Sequence, residues 1–124
     1  MIHGKRVFLV DDDPSARQGL ALLLRTAGYD VSVFASADEF VDALGQETSG
    51  CLVLDARMPG MSCEEMLTEL KELRLDLPII FVTADDDPET KRRAQKMNAA
   101  GFFRKPVDST ALFDAIEWAT QSDK

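Results

Sequence analysis

Hydrophobic residues along the chain form short continuous runs that alternate with longer stretches of helical spacing. Four runs have the length and composition of strands buried on both faces of a sheet, at residues 7–10, 51–54, 79–82 and 102–103. A further strand with Val31, Val33 and Phe34 alternates more and is expected nearer a sheet edge. Strands and helices alternate about five times, which predicts parallel strands, right-handed crossovers and helices on both faces of one α/β sheet.

The helices are marked by caps at their starts. Asp13 and Asp87 each precede a proline, so each can cap a helix that begins with that proline. Ser36 and Ser62 open capping boxes, and Asp108 can cap the last helix. We expect helices over about residues 14–27, ending at a left-handed Gly28, then 37–44 and 88–97, with two more around residues 66–73 and 112–119. Their expected core side chains are Ala16, Leu20, Leu23, Leu24, Ala27, Met66, Leu67, Leu70, Leu73, Leu112, Ala115, Ile116 and Ala119.

Polar residues that can take part in a reaction or bind a ligand follow the strand-like runs. These are Asp11, Asp12, Asp55, Thr83 and Lys105. Parallel strands would bring all five to the carboxyl edge of the sheet, which is where open α/β sheets bind ligands. Three carboxylates there would repel one another, and a divalent cation that prefers oxygen ligands would relieve the repulsion. The pattern therefore predicts a Mg²⁺ site with a nucleophilic carboxylate, a hydroxyl and an ammonium beside it.

Composition and charge narrow the function classes. The chain has 124 residues, 45% of them hydrophobic, which is typical of one globular domain that buries its own core. Its net charge of −8 argues against direct binding of nucleic acid by this domain. Cys51 and Cys63 match no zinc spacing, and a reduced, cytoplasmic setting is expected. No stretch reaches the roughly 20 apolar residues of a membrane span, and His3 has no partner for catalysis or metal binding.

The five polar landmarks, in this order and on these elements, resemble the receiver domain of two-component response regulators. The similarity extends from Val7 to about Ala119, so we expect one receiver domain over residues 1–124. The polar residues 120–124 would be a tail or the start of a linker. The segment Arg57 to Ser62 is further similar to receivers that precede a helix-turn-helix DNA-binding domain. The resemblance implies a (βα)₅ flavodoxin-like fold with strand order 2-1-3-4-5 and a cis bond between Lys105 and Pro106.

The resemblance also implies a reaction. A sensor histidine kinase or phosphotransfer protein would pass a phosphoryl group to Asp55. Mg²⁺, for which Mn²⁺ can substitute, would be held by Asp12, Asp55, the backbone carbonyl of Arg57, and Asp11 partly through water. Such a domain is not an enzyme in the usual sense, although it catalyses its own phosphotransfer and dephosphorylation. Phosphoryl transfer mainly requires positioning and charge neutralisation, which Mg²⁺, Lys105 and the Thr83 hydroxyl can supply.

In this family, phosphorylation is transmitted by a switch. Thr83 would move toward the phosphorylated aspartate, and the aromatic residue three before the lysine, here Phe102, would turn inward. The change would be transmitted at the face made by helix four, strand five and helix five, where a homodimer can form. On helix four, Lys91, Arg92, Arg93 and Lys96 form a basic patch that can meet an acidic partner or a dimer mate, or can be a solvated helix face. The position of Trp118 on helix five stays open between this face and the core.

Two further expectations concern residues beside the site. In receivers, the residues two beyond the phosphoacceptor and two beyond the threonine tune the lifetime of the phosphorylated state, and here they are Arg57 and Asp85. We expect these opposite charges to pair over the phosphate and slow hydrolysis a modest few-fold. Cys63 and Asn98 stand where the family usually has glycine. Asparagine tolerates the left-handed conformation that ends a helix, so Asn98 can still close helix four. For Cys63, the sequence does not define the exact contacts beside the active loop.

The same residues are also compatible with other functions. A stand-alone phosphorelay shuttle and the receiver of a DNA-binding regulator look the same over this chain. A phosphatase of the haloacid dehalogenase type would use Asp11 as its nucleophile, since residues 11–15 loosely fit its aspartate loop, but Asp55 would then have no role. A flavodoxin shares the architecture, yet three aspartates after strand one would repel its phosphate.

Overall fold

The computed structural model describes residues 5–45, 49–55, 63–84 and 88–121. Over these residues, five strands alternate with five helices. In order, they are β1 (Arg6–Val10), α1 (Pro14–Thr26), β2 (Asp30–Phe34), α2 (Ala37–Asp42), β3 (Cys51–Asp55), α3 (Cys63–Glu72), β4 (Ile79–Thr83), α4 (Pro88–Lys96), β5 (Gly101–Arg104) and α5 (Ser109–Gln121). All strand pairs are parallel, in the order β2-β1-β3-β4-β5. The (βα)₅ flavodoxin-like fold and its strand order are confirmed.

The sheet separates two hydrophobic cores because successive side chains of a strand point to opposite faces. Val7 and Leu9 of β1 join the core that includes Leu24 of α1 and Ile116 of α5. The alternate residues of β1, Phe8 and Val10, join the second core. Members of the second core from the helices are Ala37, Phe40, Met66, Leu70 and Ala94. The molecule is therefore a three-layer sandwich with α1 and α5 on one face and α2, α3 and α4 on the other.

Burial of the strands follows their place in the sheet. Residues 7–10, 51–55 and 79–83 are all buried, as expected for strands covered on both faces. β2 lies at a sheet edge, as its alternating pattern predicted. The expectation of full burial was wrong for Phe102 and Phe103, which are only partly buried. The physical reason is that β5 pairs only with β4 and forms the opposite edge of the sheet.

The predicted helix ends are close to the observed ones. Asp13 caps α1 by accepting a hydrogen bond from the Ser15 N–H at 3.1 Å. The α1 and α4 helices are followed by left-handed residues, Gly28 with φ of 101° and Asn98 with φ of 59°. Helix α2 stops at Asp42, two residues earlier than expected.

The predicted core positions of the helices were confirmed in part. Those fully buried are Leu24, Met66, Leu70, Leu112, Ile116 and Ala119, while Ala16, Leu20, Leu23, Ala27, Leu67 and Ala115 are partly buried. Leu73 is a correction, since it is exposed. The reason is that α3 ends at Glu72, so helical spacing no longer directs Leu73 toward the sheet.

Candidate functional site

Four neighbouring strands bring the predicted polar residues to one edge of the sheet. Asp11 directly follows β1, Asp55 ends β3, Thr83 ends β4, and Lys105 directly follows β5. The strands β1, β3, β4 and β5 are consecutive in the sheet and parallel, so these residues meet at its carboxyl edge. The clustering inferred from the sequence is thus present in the structure.

The Lys105 ammonium lies between two buried carboxylates. Its Nζ donates to Asp11 Oδ2 at 2.7 Å and to Asp55 Oδ2 at 3.3 Å. Burial by itself would lower the pKa of Lys105, but the hydrogen bond to Asp11 and the charges of Asp55 and Asp11 outweigh it and raise that pKa above its ordinary value. Lys105 therefore stays charged at neutral pH and balances part of the negative charge of the site.

The loop after β1 holds Asp11 from several directions. The Asp11 N–H donates to the carbonyl of Phe34 at 3.1 Å, and Asp11 Oδ1 accepts from the Asp13 N–H at 3.0 Å. In addition, Arg17 of α1 donates from Nη1 to the backbone carbonyl of Asp11 at 2.7 Å. Sequence reasoning missed Arg17. The available signal was its place in the first turn of a helix, where the helix dipole favours acidic rather than basic side chains.

Asp12 completes a group of carboxylates that suits a metal ion. One oxygen from each of Asp11, Asp12 and Asp55 can be chosen so that all lie within 4.8 Å of one another. Two oxygen ligands of one Mg²⁺ lie at most about 4.2 Å apart, because each bond is about 2.1 Å long. A small contraction of the group would therefore suffice. Hard oxygen donors with net negative charge are the chemistry that Mg²⁺ prefers, so these residues fit the ion.

Thr83 and Phe102 lie on the two strands that follow β3 in the sheet, β4 and β5. Thr83 is fully buried, and its carbonyl accepts a hydrogen bond from the Lys105 backbone N–H at 2.7 Å, which ties the ends of β4 and β5 together. The peptide bond between Lys105 and Pro106 is cis, as the resemblance implied. Phe102 packs against the core that contains Phe81, while Phe103 packs against the opposite core.

Several predicted features fall outside the described residues. They include Arg57 with its backbone carbonyl, Asp85, and the caps Ser62 and Asp87. Trp118, which the sequence left open between a surface face and the core, lies at the surface, because it is 70% exposed. It lines an open groove together with Lys96 and Asn98, so it stands beside the end of α4.

Comparison with known proteins places this fold and acidic edge in one class. Residues 7–117 match the response regulator receiver domain. Nodulation protein W of Bradyrhizobium diazoefficiens is 41% identical over 118 residues, covering 95% of this chain and 52% of that protein. Transcriptional regulatory protein TdiR of Thauera aromatica is 41% identical over 117 residues, covering 94% and 52%. The structure of response regulator StyR superimposes with a TM-score of 0.85 at 45% identity, covering 98% of this chain and 61% of that one.

The chain belongs to the family of response regulator receiver domains and is a component of two-component signal transduction. Receiver domains bind Mg²⁺ at an acidic pocket and interact with histidine kinases or phosphotransfer proteins. The chain spans about half the length of the curated relatives that it matches. In the part of the chain that the structure describes, no helix is long and apolar enough to cross a bilayer.

Proposed function

We propose that this domain accepts a phosphoryl group on Asp55 from a phosphohistidine of a sensor kinase or phosphotransfer protein. The observation that carries the proposal is the meeting of buried Asp55 with Lys105 inside a group of three carboxylates. A carboxylate oxygen of Asp55 would form a bond to phosphorus, and the bond from phosphorus to the donor imidazole would break. The electron pair of that bond stays on the imidazole nitrogen. The donor leaves as a neutral histidine when its other ring nitrogen carries a proton, or when the leaving nitrogen takes a proton from water.

Asp11, Asp12 and Asp55 would hold Mg²⁺, with the backbone carbonyl of Arg57 as a further ligand and Asp11 acting partly through water. Mn²⁺ should substitute, because it accepts the same oxygen donors. The bound cation supplies positive charge to the phosphoryl oxygens during transfer. The side chains of Asp11 and Asp55 are already desolvated by the fold, so little rearrangement of this pair is needed to present them together.

Lys105 and Thr83 would bind the transferred group. Lys105 already donates a hydrogen bond to Asp55, and its ammonium can donate to a phosphoryl oxygen once Asp55 is modified. The Thr83 hydroxyl would donate to another oxygen. Since Thr83 and Lys105 are linked through their backbones, movement of Thr83 would be transmitted to β5, where Phe102 lies three residues before the lysine. Rotation of Phe102 inward is part of the proposed switch.

The switch would act on the face formed by α4, β5 and α5. Exposed Lys96 on α4 and exposed Trp118 on α5 line one groove and offer positive charge and aromatic surface for a contact. Lys91 is also exposed, whereas Arg92 pairs with Glu89 and Arg93 pairs with Glu64 of α3. A homodimer that forms on phosphorylation is one proposed use of this face. The basic patch can equally receive an acidic partner protein.

The output is proposed as control of transcription through a DNA-binding domain that follows residues 120–124. Support comes from the relative named as a transcriptional regulatory protein, of which the chain covers 52%. This domain would not bind nucleic acid itself, since its net charge is −8. A stand-alone phosphorelay shuttle remains the second candidate, and a cytoplasmic location is part of either proposal. The phosphatase is disfavoured because Asp13, the second acid of its loop, caps α1 instead.

Arg57 and Asp85 would tune the lifetime of the phosphorylated state. A contact between these two side chains would shield the acyl phosphate from attacking water, and an exposed pair supports only a modest few-fold effect. Replacing Arg57 with alanine should speed loss of the phosphoryl group by that factor. An unchanged dephosphorylation rate would refute the hypothesis.

Incubation with acetyl phosphate tests the proposed reaction without a kinase. We expect one phosphoryl adduct by intact mass on the wild type in the presence of Mg²⁺. The adduct should be absent with EDTA and absent from Asp55→Asn. No adduct on the wild type, or an adduct of equal yield on Asp55→Asn, would contradict the assignment.

A further inference from the structure

Arg17 makes a contact that the proposed reaction does not use. Its guanidinium reaches back from the first turn of α1 and donates to the Asp11 carbonyl at 2.7 Å, in a partly buried setting. That carbonyl belongs to the peptide that joins Asp11 to Asp12. A hydrogen bond from a charged donor to a carbonyl is stronger than one between neutral groups, so this peptide is held firmly in one orientation.

The two aspartates differ in what else restrains them. The Asp11 carboxylate is fixed by Lys105 on one oxygen and by the Asp13 N–H on the other. The Asp12 side chain is exposed and makes no hydrogen bond or ion pair with the rest of the described chain. Its direction therefore depends on the backbone that carries it, and a turn of the preceding peptide would swing it away from Asp11 and Asp55.

We propose that Arg17 is a positioning residue of the metal site, which holds the peptide between Asp11 and Asp12 and thereby directs the Asp12 carboxylate toward the cation. The inference rests on the proposed Mg²⁺ site and adds a residue to it that touches neither the metal nor the phosphoryl group. The direction in which Arg17 changes Mg²⁺ affinity distinguishes positioning from a purely electrostatic effect. The positive charge of Arg17 repels a nearby cation, so its charge alone would weaken Mg²⁺ binding, whereas its positioning of Asp12 strengthens it.

The test measures Mg²⁺ binding directly, with no phosphoryl donor present. Thermal unfolding followed by circular dichroism over a MgCl₂ titration gives an apparent Kd, since a ligand that binds only the folded state raises Tm by mass action. Arg17→Met removes both charge and donor, while Arg17→Gln keeps a donor without the charge. We expect Arg17→Met to weaken Mg²⁺ binding by about three- to tenfold, with Arg17→Gln in between.

Arg25 offers a matched control on the same helix. It also donates a guanidinium hydrogen bond to a backbone carbonyl, that of Val31 at 3.1 Å, near the start of β2 and away from the acidic edge. Arg25→Met should lower Tm without changing the apparent Kd for Mg²⁺. If Arg17 only stabilised the fold, Arg17→Met would likewise lower Tm without changing the apparent Kd for Mg²⁺.

The pairing with Asp12 is tested in a double-mutant cycle. In an Asp12→Asn background, Arg17→Met should change the Mg²⁺ affinity by less than about twofold, because the side chain that it positions is no longer a charged ligand. Unchanged or tighter binding in Arg17→Met and Arg17→Gln would overturn the inference, and so would an equal loss in both backgrounds. A wild type whose Tm does not respond to Mg²⁺ would overturn the proposed metal site itself and this inference with it.

Discussion

At the scale of single residues, Lys105 is the internal counter-ion of the acidic edge. Lys105→Met would leave Asp11 and Asp55 buried without a cation, and breaking one side of such a pair costs about 1–3 kcal/mol when the lysine keeps some solvent contact. We expect a lower free energy of unfolding in EDTA, measured with urea. Added Mg²⁺ should recover part of the loss, because a cation then lies beside the same carboxylates.

The matched control for this prediction is Lys71→Met. Lys71 is exposed on α3 and forms no ion pair within the described ranges, so its replacement should leave the urea midpoint nearly unchanged. Equal stability of Lys105→Met and wild type in EDTA would show that the lysine does not balance the charge of the site.

A second residue, Cys51, is predicted to be chemically inert in the folded protein. It is fully buried in β3, and burial raises the pKa of its thiol to about 12. At pH 8 only about one thiol in 10⁴ is then the reactive thiolate. In a Cys63→Ser variant, we expect iodoacetamide to leave the folded protein unmodified at pH 8 and to label it in urea, as followed by mass. Rapid labelling of the folded protein would contradict this burial.

Residues at the site differ in how far the sequence alone could locate them. Asp11, Asp55, Thr83 and Lys105 each terminate or directly follow a strand, so hydrophobic runs and parallel topology suffice to bring them together. For Arg17 the sequence offers only one signal, a basic side chain in the first turn of α1, and that signal does not say what the side chain contacts. A long side chain on a helix can reach back to a loop or point into water, and only the packing of α1 decides between the two.

Among the helices and strands, the last turns of α5 are bonded to residues at the amino-terminal ends of β1 and β2. Glu117 accepts hydrogen bonds from the Tyr29 hydroxyl at 2.6 Å and from Lys5 Nζ at 3.0 Å. Lys5 also donates to Thr120 Oγ1 at 2.9 Å. Lys5 precedes β1 and Tyr29 precedes β2, so the network ties α5 to two strands.

We expect Glu117→Ala to lower the free energy of unfolding by about 1–2 kcal/mol, because it leaves the Tyr29 hydroxyl and Lys5 without this partner. Tyr29→Phe removes only the hydrogen bond from the tyrosine hydroxyl and should cost less. Urea unfolding checks both, and amide exchange should quicken in the last turns of α5. A Glu72→Ala control, at an exposed position on α3, should have no such effect. A Glu117→Ala variant as stable as this control would contradict the anchoring role.

The elements themselves were largely predictable, whereas contacts between distant ones were not. Caps at Asp13 and Ser36 and the left-handed Gly28 and Asn98 act locally, so residue types reveal them. The Lys5 to Glu117 pair joins residues 112 positions apart, and no local pattern predicts it. The partial burial of Phe103 likewise depends on β5 lying at an edge, which is a property of the whole sheet.

At the scale of the whole molecule, Trp118 should report changes on the proposed output face. It is the chain's single tryptophan and is 70% exposed, so its emission should be that of a solvated indole. If phosphorylation drives dimerisation through α4, β5 and α5, burial of Trp118 should shift the emission to shorter wavelength as protein concentration rises. Sedimentation gives the oligomeric state of the same samples, with Asp55→Asn as the control. A phosphorylated dimer with unchanged emission would place the interface elsewhere.

We propose that the parallel sheet makes Asp55, and not another acid of its carboxyl edge, the phosphoacceptor. Borohydride reduces an aspartyl phosphate to homoserine, so peptide mass analysis after treatment with acetyl phosphate and Mg²⁺ identifies the modified residue. We expect homoserine at position 55 alone, and none when Mg²⁺ is withheld. Homoserine at position 11 or 12 would refute Asp55 as the phosphoacceptor, and homoserine at position 11 would favour the phosphatase chemistry.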